Sequence, residues 1–175
     1  NQEGKQIASD KIIYNKTTQQ LSTFGNSKFS DNKGGTLFAE SFEYNLEKKI
    51  ISAEKKIISA EKKINSAEKK IKFIDKEKNT YYFSKLSADD KFDEIIGYDI
   101  NADLNKENLK SGDKFNEFIE PRFSGKSASI KNNITIVQDA KFTTCKKTNE
   151  QEGCAYWNLN AGELIHDKEQ KKLTY

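Results

Sequence analysis

A strand–turn–strand unit recurs along the chain and restricts it to folds built from stacked hairpins. The unit reads apolar-x-x-apolar-x-(Tyr/Ala/His)-(Asn/Asp), with a further apolar residue six positions after the Asn or Asp. Ala39, Phe42, Tyr44, Asn45 and Ile51 fit it, as do Phe83, Leu86, Ala88, Asp89 and Ile95. So do Ala161, Leu164, His166, Asp167 and Leu173, and an N-terminal copy with one extra residue comprises Ala8, Ile12, Tyr14, Asn15 and Leu21. Apolar residues alternate before each turn, as in a half-buried strand, and Asn or Asp opens a turn because its side chain bonds the backbone ahead of it. Tyr81-Tyr82-Phe83 and Ile134-Thr135-Ile136-Val137 add aromatic and β-branched runs. Repeated units of this size predict an all-β fold of short stacked strands, one domain over 1–175 with no composition break to divide it. Asp31 to Gly35 reads as a turn, and 105–114 and Glu120 to Ser129 read as loops, the last because of Pro121 and Gly125.

Residues 46–72 admit two readings. The run repeats every seven residues, and Ala53, Ile57, Ala60, Ile64, Ala67 and Ile71 alternate spacings of four and three. That is a coiled-coil seam, and Ala, Glu and Lys favour helix; a helical insert of about 27 residues would be roughly 40 Å long. As strands, each heptad gives an extended Ile-Ile-Ser-Ala and a Glu-Lys-Lys corner. Residues 52–65 then form a tandem duplication, and removing them leaves an ordinary strand–turn unit.

Hydrophobic residues make up 34% of the chain and charged residues 33%, so the core is lean, and eleven Phe and seven Tyr must supply much of it. A net charge of +3, with 27 acids interspersed among 30 bases, is too mild to imply nucleic acid. One His and two Cys exclude a two-His metal site and leave too few ligands for zinc. No phosphate-binding glycine motif is present. The carboxylates sit beside lysines in polar turns and read as solvated surface, and His166 as a polar strand-end residue beside Asp167. No enzyme and no cofactor are expected. The aromatics Phe24, Phe29, Phe38, Phe73, Phe115, Phe118, Phe123 and Phe142, with Phe42, Phe83 and Trp157, read as core or as the lining of an apolar groove.

The stretch from Phe142 to Asp167 holds both cysteines, the Trp and the His. Cys145 and Cys154, nine apart across a polar loop containing Gly153, suit a disulfide-closed hairpin. Phe142-Thr143-Thr144-Cys145, then Trp157, then Glu163-Leu164-Ile165-His166-Asp167, follows Glu120-Pro121-Arg122-Phe123-Ser124-Gly125 upstream. This combination resembles the N-terminal periplasmic (OstA-like) domain of the LptD family, outer-membrane lipopolysaccharide assembly proteins.

The resemblance implies an open, twisted β-jelly-roll, or β-taco, that binds lipopolysaccharide and passes it to the outer membrane without enzymatic chemistry. It implies a periplasmic domain tethered to the outer membrane through a C-terminal barrel that lies outside these residues. Its partners would be lipopolysaccharide, an LptA-like bridge protein joined by edge-strand addition, and the barrel with its LptE lipoprotein. It also allows Cys145 to pair with a barrel cysteine in place of Cys154. In such a trough, strand alternation makes Phe42, Phe83, Trp157 and Leu159 the expected lining. Two alternatives stand beside this one: a stand-alone LptA-like bridge, and a structural or adhesive repeat protein organised by the heptads.

Overall fold

The computed structural model describes residues 4–54, 71–108, 120–145 and 158–175. Among them, fifteen strands join one antiparallel sheet. They are β1 (Gln6–Ala8), β2 (Lys11–Asn15), β3 (Gln20–Phe24), β4 (Ser27–Ser30), β5 (Thr36–Ala39), β6 (Glu43–Asn45), β7 (Ile50–Glu54) and β8 (Ile71–Ile74). Then follow β9 (Thr80–Phe83), β10 (Lys85–Asp89), β11 (Glu94–Asp103), β12 (Arg122–Lys131), β13 (Ile134–Thr143), β14 (Leu159–Asp167) and β15 (Lys172–Thr174). One short 3-10 turn covers Lys106–Asn108.

The strands are halves of longer ribbons folded at a common line. β1 and β2 flank Ser9-Asp10, β3 and β4 flank Gly25-Asn26, and β9 and β10 flank Ser84. The first layer runs β1-β4-β5-β8-β9 and the second β2-β3-β6-β7-β10. β11 belongs to both, pairing Asn101 with Tyr82 of β9 and Tyr98 with Lys85 of β10. It crosses the line at Asp99, and β13 crosses it at Asp139, each with φ of 50°. Gly25 sits on the same line with φ of 72°, and a side chain there would collide with the Asp10 carboxylate. The result is a curled, two-layer jelly-roll with its core between the layers.

Period-two alternation decides what enters that core. In the first layer the inward row runs Ile7, Phe29, Leu37, Phe73, Tyr81, Ala102, Phe123, Phe142 and Leu159 in successive cross-strand pairs. In the second, beyond the exposed Tyr14 at its edge, it runs Leu21, Tyr44, Ile51, Ala88, Ile95, Ile130, Thr135, His166 and Leu173. The sequence repeat is thereby explained. Its Tyr, Ala or His and the apolar residue six beyond the turn are cross-strand partners in one inward row.

The turns form as their openers predict. The Asn15 side chain accepts from the Thr17 and Thr18 amides, Asn45 from Lys48, Asp89 from Lys91 and Glu94, and Asp167 from Gln170. Asp31 likewise accepts from Lys33 and Gly35. Glu120 to Ser129 is not a loop: Arg122 onward is strand. Pro121 precedes the ladder, where its carbonyl accepts from the Leu104 amide, and Gly125 lies where β12 crosses the fold line.

Both described ends of the heptad run are strands, which overturns the helical insert there. Ile51 and Ala53 point inward while Ile50, Ser52 and Glu54 point outward, and β7 pairs with β10 along its length. Non-local pairing overrides the helix propensity of Ala, Glu and Lys. The heptad positions between, 55–70, lie outside the described residues. The register shows how the two ends relate. Glu54 pairs with Lys85 and Ile71 with Phe83, so across the single residue Ser84 the neighbouring ribbon continues from one partner to the other. Deleting 52–65 leaves Ser66-Ala67-Glu68 in the place of Ser52-Ala53-Glu54, with Lys69-Lys70 at the corner. The deletion variant should therefore fold and lose less than ~4 °C in Tm, about 1 kcal/mol for a domain of this size. An aggregated or unfolded product in a thermal melt would show instead that the heptads organise the fold.

Candidate functional site

The interior between the layers is the main candidate. Phe29 meets Phe42, Tyr44 and Phe92 edge-on at centroid distances of 6.2, 5.6 and 5.6 Å. Phe92 continues to Phe73 at 4.8 Å, and Phe73 to Tyr81 at 5.9 Å. Tyr81 reaches Phe83 at 6.5 Å and Phe123 at 6.4 Å. An unbroken aromatic chain thus links both layers.

Of the four lining residues expected from sequence, Phe42 and Phe83 are fully buried at opposite ends of this chain. Their neighbours confirm the phase: Glu43 is exposed, and Ser84 bonds outward to Asp99 Oδ2 at 2.6 Å. Phe83 lies against Gly97, where any side chain would collide with its ring. Leu159 is half-buried and packs on the core from β14. Trp157 lies outside the described residues, as do Phe115 and Phe118. Sequence reasoning did not single out Phe92, which joins the two aromatic groups from a turn, with φ of 53°; no periodicity marks such a position. Phe24 and Phe38 face outward. Cys145 is buried just after β13, where its amide donates to Thr143 Oγ1 at 3.2 Å. β13 and β14 form the expected hairpin, but Cys154 lies outside the described residues.

Opposite the fold line, the free ends of the two layers meet. Three lysine–aspartate pairs bridge them: Lys5–Asp90 and Lys33–Asp93 at 2.6 Å, and Lys168–Asp75 at 2.7 Å. Lys171 Nζ also donates to the Glu107 carbonyl at 3.0 Å. A cavity of about 250 Å³ lies at this seam, with Phe73, Phe92 and Ile130 beneath Lys33, Asp75 and Lys168. These acids were expected to be solvated surface. Asp31, Asp75 and Asp90 are buried instead, because turns from different layers cover one another.

The pairs are unequal. Lys33 and Asp93 are each nearly half exposed, whereas Lys168 and Asp75 are each 6% exposed. Asp75 also accepts from the Asn79 amide and side chain at 2.8 and 2.9 Å and from Tyr81 Oη at 3.1 Å. Burial and the Asp75 charge hold the Tyr81 phenol well above its ordinary range. Burial opposes ionisation of Asp90, but hydrogen bonds from Lys5 and Tyr44 outweigh it and hold that carboxyl below its usual range. His166 stands at the end of β14 beside Asp167, as expected; it is also completely buried, and neither ring nitrogen has a hydrogen-bond partner among the described residues. Burial, reinforced by the Lys168 charge, pushes its pKa down to about 4. The arrangement is a packed, largely aromatic core whose open end is spanned by ion pairs.

No protein-family model matches the chain, and no curated protein matches it. A solved structure that does match is the crystal structure of LptH, described as the LptA homologous periplasmic component of the conserved lipopolysaccharide transport device from Pseudomonas aeruginosa. It is 9% identical, the match covers 97% of this chain and 80% of LptH, and the TM-score is 0.32.

Two outcomes test the energetics of the seam. Asp75→Ala leaves the buried Lys168 with only the Glu77 carboxylate at 4.0 Å and should cost about 3 kcal/mol, while Asp93→Ala, which breaks an exposed pair, should cost under about 1 kcal/mol. Urea unfolding of both variants measures the difference, and equal losses would contradict it. The second outcome concerns pH. The folded state holds His166 neutral, while the unfolded chain takes up a proton below about 6.5. Stability is therefore lost as pH falls from about 6.5 towards 4, by about 3 kcal/mol at pH 4 from this residue alone. His166→Leu should flatten that part of the stability–pH curve, and an unchanged slope would contradict the assignment.

Proposed function

We propose that this chain is a single OstA-like periplasmic domain that binds lipopolysaccharide and conducts it towards the outer membrane, without catalysing a reaction. The observation that carries this reading is the inward row of the first layer, which is apolar or aromatic at every strand from Ile7 to Leu159. A lipid with several acyl chains needs a continuous apolar path and no chemical group. Each buried CH₂ contributes about 0.8 kcal/mol wherever it lies on that path, so sliding meets no large barrier. Loading requires the layers to part at the lysine–aspartate seam and exchanges aromatic contacts for contacts with acyl chains.

The role fits the N-terminal domain of an LptD-type protein, acting with a barrel and that barrel's LptE lipoprotein partner. The Phe142–Cys145, Trp157 and Glu163–Asp167 pattern supports that form. The sheet edges favour a bridge partner in either form. Among the described residues β1, β2 and β15 each pair on one side only, and Ile12, Ile13 and Tyr14 of β2 are exposed. Such an edge accepts a strand from an LptA-like partner. A stand-alone bridge would use both ends of the sheet in this way.

The test is photo-crosslinking of the purified chain to lipopolysaccharide. A benzophenone side chain in place of Phe42 or Phe83 should capture the lipid, and the same group at the turn residue Lys49 should not. Equal capture at all three positions, or none at any, would refute a lipid-carrying interior.

A further inference from the structure

The outer face of the first layer, on the far side of the sheet from the apolar interior, is chemically unlike the outer face of the second. One outward row runs through successive cross-strand pairs: Lys28, Phe38, Lys72, Tyr82, Asn101, then Ser124 and on to Lys141. The Lys28 and Lys72 ammonium groups lie 5.8 and 5.9 Å from the Phe38 ring centre. With Arg122, the described strands of this face carry four cations against a single acid, Asp103. The outer face of the second layer is mixed. There Glu43, Glu54, Asp89, Glu94 and Glu163 are interspersed with lysines, and Lys85 and Lys131 are neutralised by Glu54 and Glu94 at 3.3 and 2.7 Å.

The basic row also has shape. A groove of about 400 Å³ opens along it, lined among others by Tyr82, Asn101, Asp103, Arg122, Ser124 and Lys141. We propose that this groove and the row leading into it bind an anionic glycan chain. Pyranose rings present polarised C–H groups to aromatic faces, and Phe38 and Tyr82 offer such faces. Asn101 and Ser124 supply the neutral donors and acceptors that sugar hydroxyls need. The strand spacing of about 4.8 Å is close to the rise of one sugar along an extended glycan, so successive strands meet successive residues. The cations are sparse on that scale. Lys28 and Lys72 stand two strands apart, about 10 Å, and Lys72 and Lys141 four strands apart, about 19 Å. That comb suits a polymer with an acidic group on every second or fourth sugar and is too thin for one phosphate per nucleotide. A concave, hydrogen-bonding groove also admits a single chain where a flat bilayer surface cannot enter. The site lies on the opposite face from the proposed lipid path and does not depend on it.

The whole chain can be titrated with hyaluronate, whose carboxylate recurs on every second sugar, in a calorimeter at low salt, with neutral dextran, single-stranded DNA and anionic phospholipid vesicles as competing probes. Hyaluronate should bind and dextran should not. Lys72→Gln combined with Lys141→Gln should weaken binding roughly tenfold, and Tyr82→Ser should weaken it with both lysines in place. Melting temperatures should stay unchanged, since all three side chains face outward. No binding of hyaluronate would overturn the proposal. So would binding that survives the lysine pair, indifference to Tyr82, or binding to DNA or vesicles as tight as to hyaluronate.

Discussion

A sheet whose residues alternate apolar and polar has one face to hide, and a chain that makes only one sheet must cover that face with itself. Folding every ribbon across a common line solves this, because the inward rows of the two halves then face each other. The fold line is therefore the element on which the core, the seam and the two outer faces all depend. Its chemistry is local. Gly25, Asn26, Asp99 and Asp139 adopt positive φ there, a conformation that Gly tolerates freely and that Asn and Asp reach more readily than other side chains. Between Tyr98 and Ile100 the pairing of β11 with β12 keeps one register across the line, so the sheet bends without losing its alignment.

The turns were legible in the sequence because their cause lies within a few residues: Asn15, Asn45, Asp89 and Asp167 bond the amides just ahead of them. Phe42 and Phe83 were legible for a similar reason, since alternation places them and their polar neighbours on opposite faces. Legibility faded where the cause was distant. The Ala-Glu-Lys heptads left strand and helix both open because their local helix signal is strong, and pairing with β6 and β10 makes Ile50 to Glu54 a strand. Pro121 and Gly125 mark loops in most chains; here they mark the start and the bend of β12. Asp75 and Asp90 look like surface acids beside lysines, and they are buried because turns far apart in sequence close over them. Composition counted Phe24 and Phe38 with the core aromatics, but it carries no information about which face a residue occupies.

The interior is less uniform than its aromatic content suggests. At the seam end the polar groups of Asp75, Asn79, Tyr81 and Lys168 satisfy one another, and His166 lies close by, its nitrogens without a partner among the described residues. Away from the seam, Phe83, Leu86, Ile100 and Val137 make a wholly apolar floor against the fold line. Strength of closure follows the same gradient. The exposed Lys33–Asp93 pair is weakly held, and the Asp75 cluster is costly to break because it would leave charge in a dry site.

The direction of the ladder hydrogen bonds has a mechanical consequence. They run perpendicular to the strands and hence parallel to the fold line, so the line can act as a hinge whose motion stretches few of them. Each half-ribbon is a lever of four or five residues, about 15 Å long. A rotation of roughly 20° at the hinge would lift the lever tips by about 5 Å, close to the width of one hydrocarbon chain. Lysine–aspartate contacts at the tips are placed where the lever arm is longest. Small charge rearrangements there have the greatest mechanical advantage over the gap between the layers.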